Sequence, residues 1–341
     1  MALAPRDVPL LKVRLDGQLE RYGAGFLGSD PLGIAHAYSR DADREVAAFF
    51  AAALAFGKAV SIRASVRRLL GRLGERPAER LRRFDLGRDA ALFRGIVHRW
   101  VGPAALARLA HLLGAALRES GTLEAFFMRG YDPAAPTLHG ALSDFRRRLL
   151  ALGADAAPRM DAAPRMDAAP RMDAAPRMDA APRMRPATAR ALGYLLPDAA
   201  GPSACKRLHL FARWMVRPAD GLDLGLWRGV RPAQLTIPLD THVARIGGLL
   251  GLTDRATPDR LMAEEITESL RLLDPADPVR YDFAISRMGI LGHCPRRREE
   301  RLCAGCPLQD VCRHWRSRPP EESGPPPGAR SRRVAAPPKS C

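Results

Sequence analysis

The stretch Asp41–Gly57, DADREVAAFFAAALAFG, decides the fold class. An aspartate opens it as a helix start signal and a glycine closes it. The apolar block between them is too long for one strand, whereas a helix can bury it. Elsewhere ARLAHLLGAALRES, LHGALSDFRRRLLAL and TPDRLMAEEITESLRLL place apolar residues at helical spacings, and no alternating β-branched run occurs. These patterns predict an all-α protein with short Gly/Pro connections.

The 341 residues suffice for one large domain or two modest ones, with a core that needs no covalent staples. No N-terminal run reads as a signal peptide, and none approaches the roughly 20 apolar residues of a membrane span. The expectation is a cytoplasmic monomer with no membrane partner. In that reducing compartment clustered cysteines bind metal or do chemistry. The chain carries 54 Lys+Arg against 37 Asp+Glu, a net +17. Such an excess points to a polyanion, DNA first and RNA second, and so to the nucleoid.

Residues 1–154 read as an N-terminal helical region. Over 155–184 the hexapeptide DAAPRM stands five times in perfect copy. With a proline in every copy and no apolar period, it reads as a disordered insertion. A second helical region follows over 185–290, then a cysteine loop over 291–315. Residues 316–341 form a basic Pro-rich tail, also read as disordered, that could touch phosphates.

Within SACKRLHLFARWMVR, at about 100° per residue, Lys206, His209, Arg213 and Arg217 form one stripe and Leu208, Phe211 and Met215 lie opposite. One face reads as core and the other as a cationic, phosphate-facing surface. Only Lys12, Lys58, Lys206 and Lys339 are lysines. A lysine where the chain otherwise writes arginine suggests a need for an amine that can lose its proton and attack carbon. Downstream, TIPLDTHVARIGGLLGL sets Asp240 before a helix with Val243, Ile246 and Leu250 inward and His242 and Arg245 elsewhere. Asp240 is either a plain N-cap or an anion placed for chemistry.

Cys294, Cys303, Cys306 and Cys312 stand in a C-x8-C-x2-C-x5-C pattern. Structural zinc commonly uses two short knuckles, and only Cys303 and Cys306 make one. Two isolated cysteines with one pair suit a [4Fe-4S] loop, with zinc as the alternative.

The segment PLDTHVARI, the four-cysteine loop and their order after a lysine helix resemble the endonuclease III branch of the helix-hairpin-helix (HhH-GPD) DNA glycosylase superfamily. The resemblance covers roughly Asp41 to Trp315, and GPSACKRLHLFARWMVR with DLGLW is similar to an uncharacterised bacterial branch. It implies a two-lobed helical fold and an enzyme that flips a damaged base from duplex DNA and cuts its N-glycosidic bond. By position Lys206 would be the nucleophile that forms a Schiff base and gives AP lyase activity. Asp240 would be the assisting carboxylate. The hairpin position reads LLPDAAGPSACKR, with Gly201 and Ser203 as its phosphate contacts, and Lys58 falls near the wedge position. The interval of 34 residues from Lys206 to Asp240 is similar to the archaeal 8-oxoguanine glycosylase branch, which tilts the substrate toward oxidised purine. Arg296, Arg297, Arg298 and Arg301, between the first two cysteines, would grip phosphates. The alternative is a noncatalytic nucleic-acid-binding protein that keeps the fold.

Overall fold

A computed structural model describes residues 3–153 and 185–316. The DAAPRM repeat over 155–184 and the tail from 317 lie outside the described residues. The described residues are predominantly helical, and their one β feature is the isolated bridge between His98 and Val101.

The Asp41–Ala53 helix sits in the middle of the core, with every residue from Val46 to Ala53 buried. A helix apolar on all sides has no solvent face to present. Arg40, not Asp41, is its N-cap, and it ends short of Gly57. Gly57 has a φ of 96°, turning the chain so that Lys58 caps the next helix, Ala59–Leu73. The two buried acids of the central helix fasten its neighbours. Asp43 accepts from the backbone N–H of Ala78 at 2.9 Å. Glu45 accepts from the N–H groups of Leu123 and Glu124, at 3.1 and 3.0 Å, and from Trp227 Nε1 at 2.6 Å. Burial raises the Glu45 carboxyl above its ordinary value, against the pull of these three donors.

The Pro77–Arg82 and Lys206–Val216 helices pack on this central helix, and Pro103–Ser120 packs on Pro77–Arg82. A second group pairs Thr241–Leu249 with Arg260–Arg271 and Asp282–Ile290, and the N-terminal Val8–Arg21 helix joins it against Asp282–Ile290. Arg14 bonds Asp310 at 2.5 Å, Tyr22 Oη meets His293 Nδ1 at 2.7 Å, and Tyr281 Oη donates to Asp16 at 2.8 Å. The first helix therefore packs with the segment that carries the cysteines. One hydrophobic core runs from Leu3 to Val311.

Candidate active site

Lys206 is the first residue of the Lys206–Val216 helix, where a left-handed Cys205, at φ 45°, turns the incoming loop into the helix. Its Nζ lies 3.6 Å from Asp240 Oδ2 and 3.5 Å from the Ala55 carbonyl. Asp240 caps the Thr241–Leu249 helix through its other oxygen: Oδ1 accepts from the His242 and Val243 N–H groups, each at 2.8 Å. The cap fixes the carboxylate and leaves Oδ2 to the amine. Both residues line a cleft of about 680 Å³ whose walls also carry Phe56, Lys58, Tyr194 and Asp282.

Asp282 is the site residue that the sequence reading missed. It is fully buried, and burial pushes its carboxyl up to about 6 against the opposing pull of Arg213, with the Asp240 charge adding to the rise. In sequence it is one aspartate in the first turn of an apolar helix, indistinguishable from a cap. Cys205, next to Lys206, is no competing nucleophile, because burial pushes its thiol up to about 12.

The reading of a solvated cationic stripe is corrected beyond Lys206. His209 is 1% exposed, Arg213 2% and Arg217 6%, so the polar face of this helix is buried as fully as the apolar one. Arg213 pairs with Asp282 at 2.7 Å and with Asp223 at 3.1 Å. Arg217 pairs with Asp223, with Asp277 at 2.9 Å and with Asp220 at 3.1 Å. Four acids from two later segments occupy the guanidinium groups, which leaves neither for a phosphate. Buried His209 is driven down to about 3 and stays neutral, edge-on to His139.

Gly201 and Ser203 shape the loop over 196–205 that delivers Lys206. The Gly201 carbonyl accepts from Arg260 Nε at 3.1 Å, and exposed Ser203 accepts from the Cys205 N–H at 3.3 Å. His242 packs against Gly289, where a Cβ would sit 2.5 Å from its Nδ1, and lines the cleft. Arg245 is corrected from phosphate contact to loop anchor. It donates to the Cys294 and Pro295 carbonyls at 2.8 Å each and to Cys294 Sγ at 3.4 Å. The Arg298 guanidinium carbon lies 3.9 Å from the centre of the Trp315 ring, and this side chain is likewise committed. Arg296, Arg297 and Arg301 are exposed.

Cys294, Cys306 and Cys312 line one cavity of about 150 Å³ with Ile246, Leu250 and Met288. The Cys294 thiol is pushed up by burial, opposed by Arg245, and feels the Cys303 and Cys312 charges, so all four sulfurs stand in one electrostatic neighbourhood. Among the described residues no three His, Cys, Asp or Glu side chains converge tightly enough to hold a single ion. Cys294, Cys303, Cys306 and Cys312 would be the thiolate ligands of either a [4Fe-4S] cluster or a zinc ion, and the cavity that three of them border is also lined by Gln18, Arg21, Tyr22 and His293.

No curated protein and no solved structure matches the chain. One family profile does, over residues 30–291, a span that holds Lys206, Asp240 and Asp282 and stops before Cys294. The chain belongs to that family, described as a protein of unknown function (DUF2400).

Proposed function

We propose that the protein is a DNA base-excision glycosylase with AP lyase activity, built on the helix-hairpin-helix plan and acting on a damaged base, oxidised purines first. The observation that carries this reading is the lysine–carboxylate pair, 3.6 Å apart at a cleft wide enough for a nucleoside. Asp240 Oδ2 takes the ammonium proton that must leave before Nζ can attack. The free amine then bonds to C1′ as the C1′–N bond to the base breaks, and the base departs with that electron pair and a proton. That proton is the one Asp240 took from Lys206, and once it has passed to the base the carboxylate is again anionic and offsets positive charge on the sugar. Opening of the sugar ring gives the Schiff base, from which the 3′ phosphate is eliminated. Unstacking the base costs a few kcal/mol, which favours lesions that pair badly.

The four cysteines are proposed as ligands of a [4Fe-4S] cluster, which would cross-link the loop over 294–312 and hold Arg296, Arg297 and Arg301 against the DNA backbone. An absorption spectrum and metal analysis of anaerobically purified protein separate iron from zinc. The activity is tested by borohydride trapping on a panel of damaged duplexes. The expected result is a covalent protein–DNA adduct that Lys206→Ala abolishes. Salt-dependent DNA binding with no adduct and no base release on any lesion would replace the enzyme with a noncatalytic binding protein.

A further inference from the structure

The Ala59–Leu73 helix leaves the cleft carrying cations that no acid of the protein answers. Its start belongs to the cleft, which Lys58, Ala59 and Ile62 help to line. At about 100° per residue Ile62, Val66, Leu69, Leu70 and Leu73 fall on one side and are buried. The opposite face centres on exposed Ala64, with Arg67, Arg68 and Arg72 projecting into solvent and Arg63 half-buried at its margin. Residues 90–102 pack beside this helix, where buried His98 meets Ser65 Oγ at 3.0 Å, and they add exposed Arg94 and Arg99. Arg99 reaches the cleft rim, since a Cβ at Gly57 would sit 3.3 Å from its Cδ.

No Asp or Glu stands anywhere in residues 56–74 or 90–102. Elsewhere helical arginines are matched by acids three or four residues away: Glu79 takes Arg76 and Arg83, Glu264 takes Arg260, and Glu268 takes Arg271. On the Ala59–Leu73 helix the four-residue neighbours are instead Arg63 with Arg67 and Arg68 with Arg72, like charges that weaken a helix. Among the described residues no acid pairs with any of these cations. The run of unpaired charge ends with the helix. Beyond it Arg76, Arg80 and Arg83 border a surface hollow, but Glu79 and Asp89 already hold them.

We propose that the exposed face of the Ala59–Leu73 helix binds the phosphate backbone of duplex DNA along one flank, beyond the cleft. Its 15 residues span about 22 Å, the axial length of about six base pairs. The choice of ligand rests on the proposed function, because DNA seated at the cleft must continue on either side of it. The surface is identified independently, by its unanswered charge and its continuity with the cleft. Contacts of this kind position the duplex and carry no sequence information. An acidic protein would also answer the charge, but protein interfaces bury a large apolar centre. This face offers only Val60 among large apolar side chains, with Ala64 and Gly71 at its middle.

The test measures binding of the full-length protein to duplexes with one tetrahydrofuran abasic site, whose two flanks are lengthened separately from about 4 to about 12 base pairs. Lengthening the flank that meets the helix should tighten binding at least about 10-fold at low salt. The triple variant Arg67→Ala, Arg68→Ala, Arg72→Ala should lose that gain and leave the effect of the other flank unchanged. Between about 50 and 200 mM salt, its affinity for the long-flank duplex should fall about 40-fold less than the parent's, as three lost phosphate contacts require. Lysine at the same three positions should restore the gain. The three side chains are exposed and their loss removes repulsion, so the variant should melt with the parent protein. Equal losses on both flanks would mark a general charge effect, and no loss would leave the face to an acidic protein or to solvent; either result overturns the proposal. Lys206→Ala should keep the flank gain, so a failed trapping experiment with that gain intact would remove the glycosylase reading and leave the DNA surface standing.

Discussion

At Asp240 the two carboxylate oxygens have separate partners, which allows a substitution that divides their roles. Asparagine caps a helix as well as aspartate does, so Asp240→Asn should keep the Oδ1 cap and the fold, with a stability change under about 1 kcal/mol. It removes the charge facing Lys206, and single-turnover base release should fall about 10²- to 10⁴-fold. Unchanged release would show that Asp240 is only a cap. Asp282 carries a different signature. Its folded-state value is raised from 3.8 to about 6, so between those values the folded protein binds its proton more tightly than the unfolded chain does. The resulting stabilisation is complete below about pH 4 and is lost as pH rises through about 6. Thermal melts of the parent and Asp282→Asn should therefore show the parent losing ground to the variant across that window. A constant gap would mean that Asp282 is ionised throughout.

The Lys206–Val216 helix shows what a sequence can and cannot tell at the scale of an element. Its 3.6-residue period sorted Leu208, Phe211 and Met215 from His209, Arg213 and Arg217 correctly, because period is a local property. Whether the polar face meets water depends on residues that period does not see: Asp220 and Asp223 just beyond the helix, and Asp277 and Asp282 from another part of the chain. Asp240 was legible as a cap because its partners are two and three residues away. Its approach to Lys206 was not, since spacing alone says nothing about which helix ends meet. The buried network yields a prediction of its own. Arg213→Met leaves Asp223 and Asp282 facing each other across the space of the lost cation, which should cost about 3–5 kcal/mol in urea denaturation. With Arg213 only 2% exposed, any DNA affinity that survives should keep its salt dependence.

Across the whole molecule, the N-terminal helix closes onto the C-terminal segment through Arg14 and Asp310 and through Tyr22 and His293, so the cysteine loop rests on both ends of the described chain. Arg245 adds a tie from the aspartate helix itself, and the loop is thereby fastened to the element that carries Asp240. Its arginines then divide by commitment. Arg245 and Arg298 are held by the loop and by Trp315, whereas Arg296, Arg297 and Arg301 project into solvent. If the loop holds the proposed cluster and lies along DNA, each of the three projecting guanidinium groups displaces a counterion, and the salt slope of binding carries about 0.9 per phosphate contact. Replacing all three by alanine should lower that slope by about 2–3 units while iron content and melting temperature hold. Arg245→Ala should do the reverse, loosening Cys294 and lowering iron content while the slope per bound protein stays near that of the parent. If the triple variant lost iron, or kept the parent slope, the loop would serve to fasten the two ends of the fold and the DNA would have to lie elsewhere on the surface.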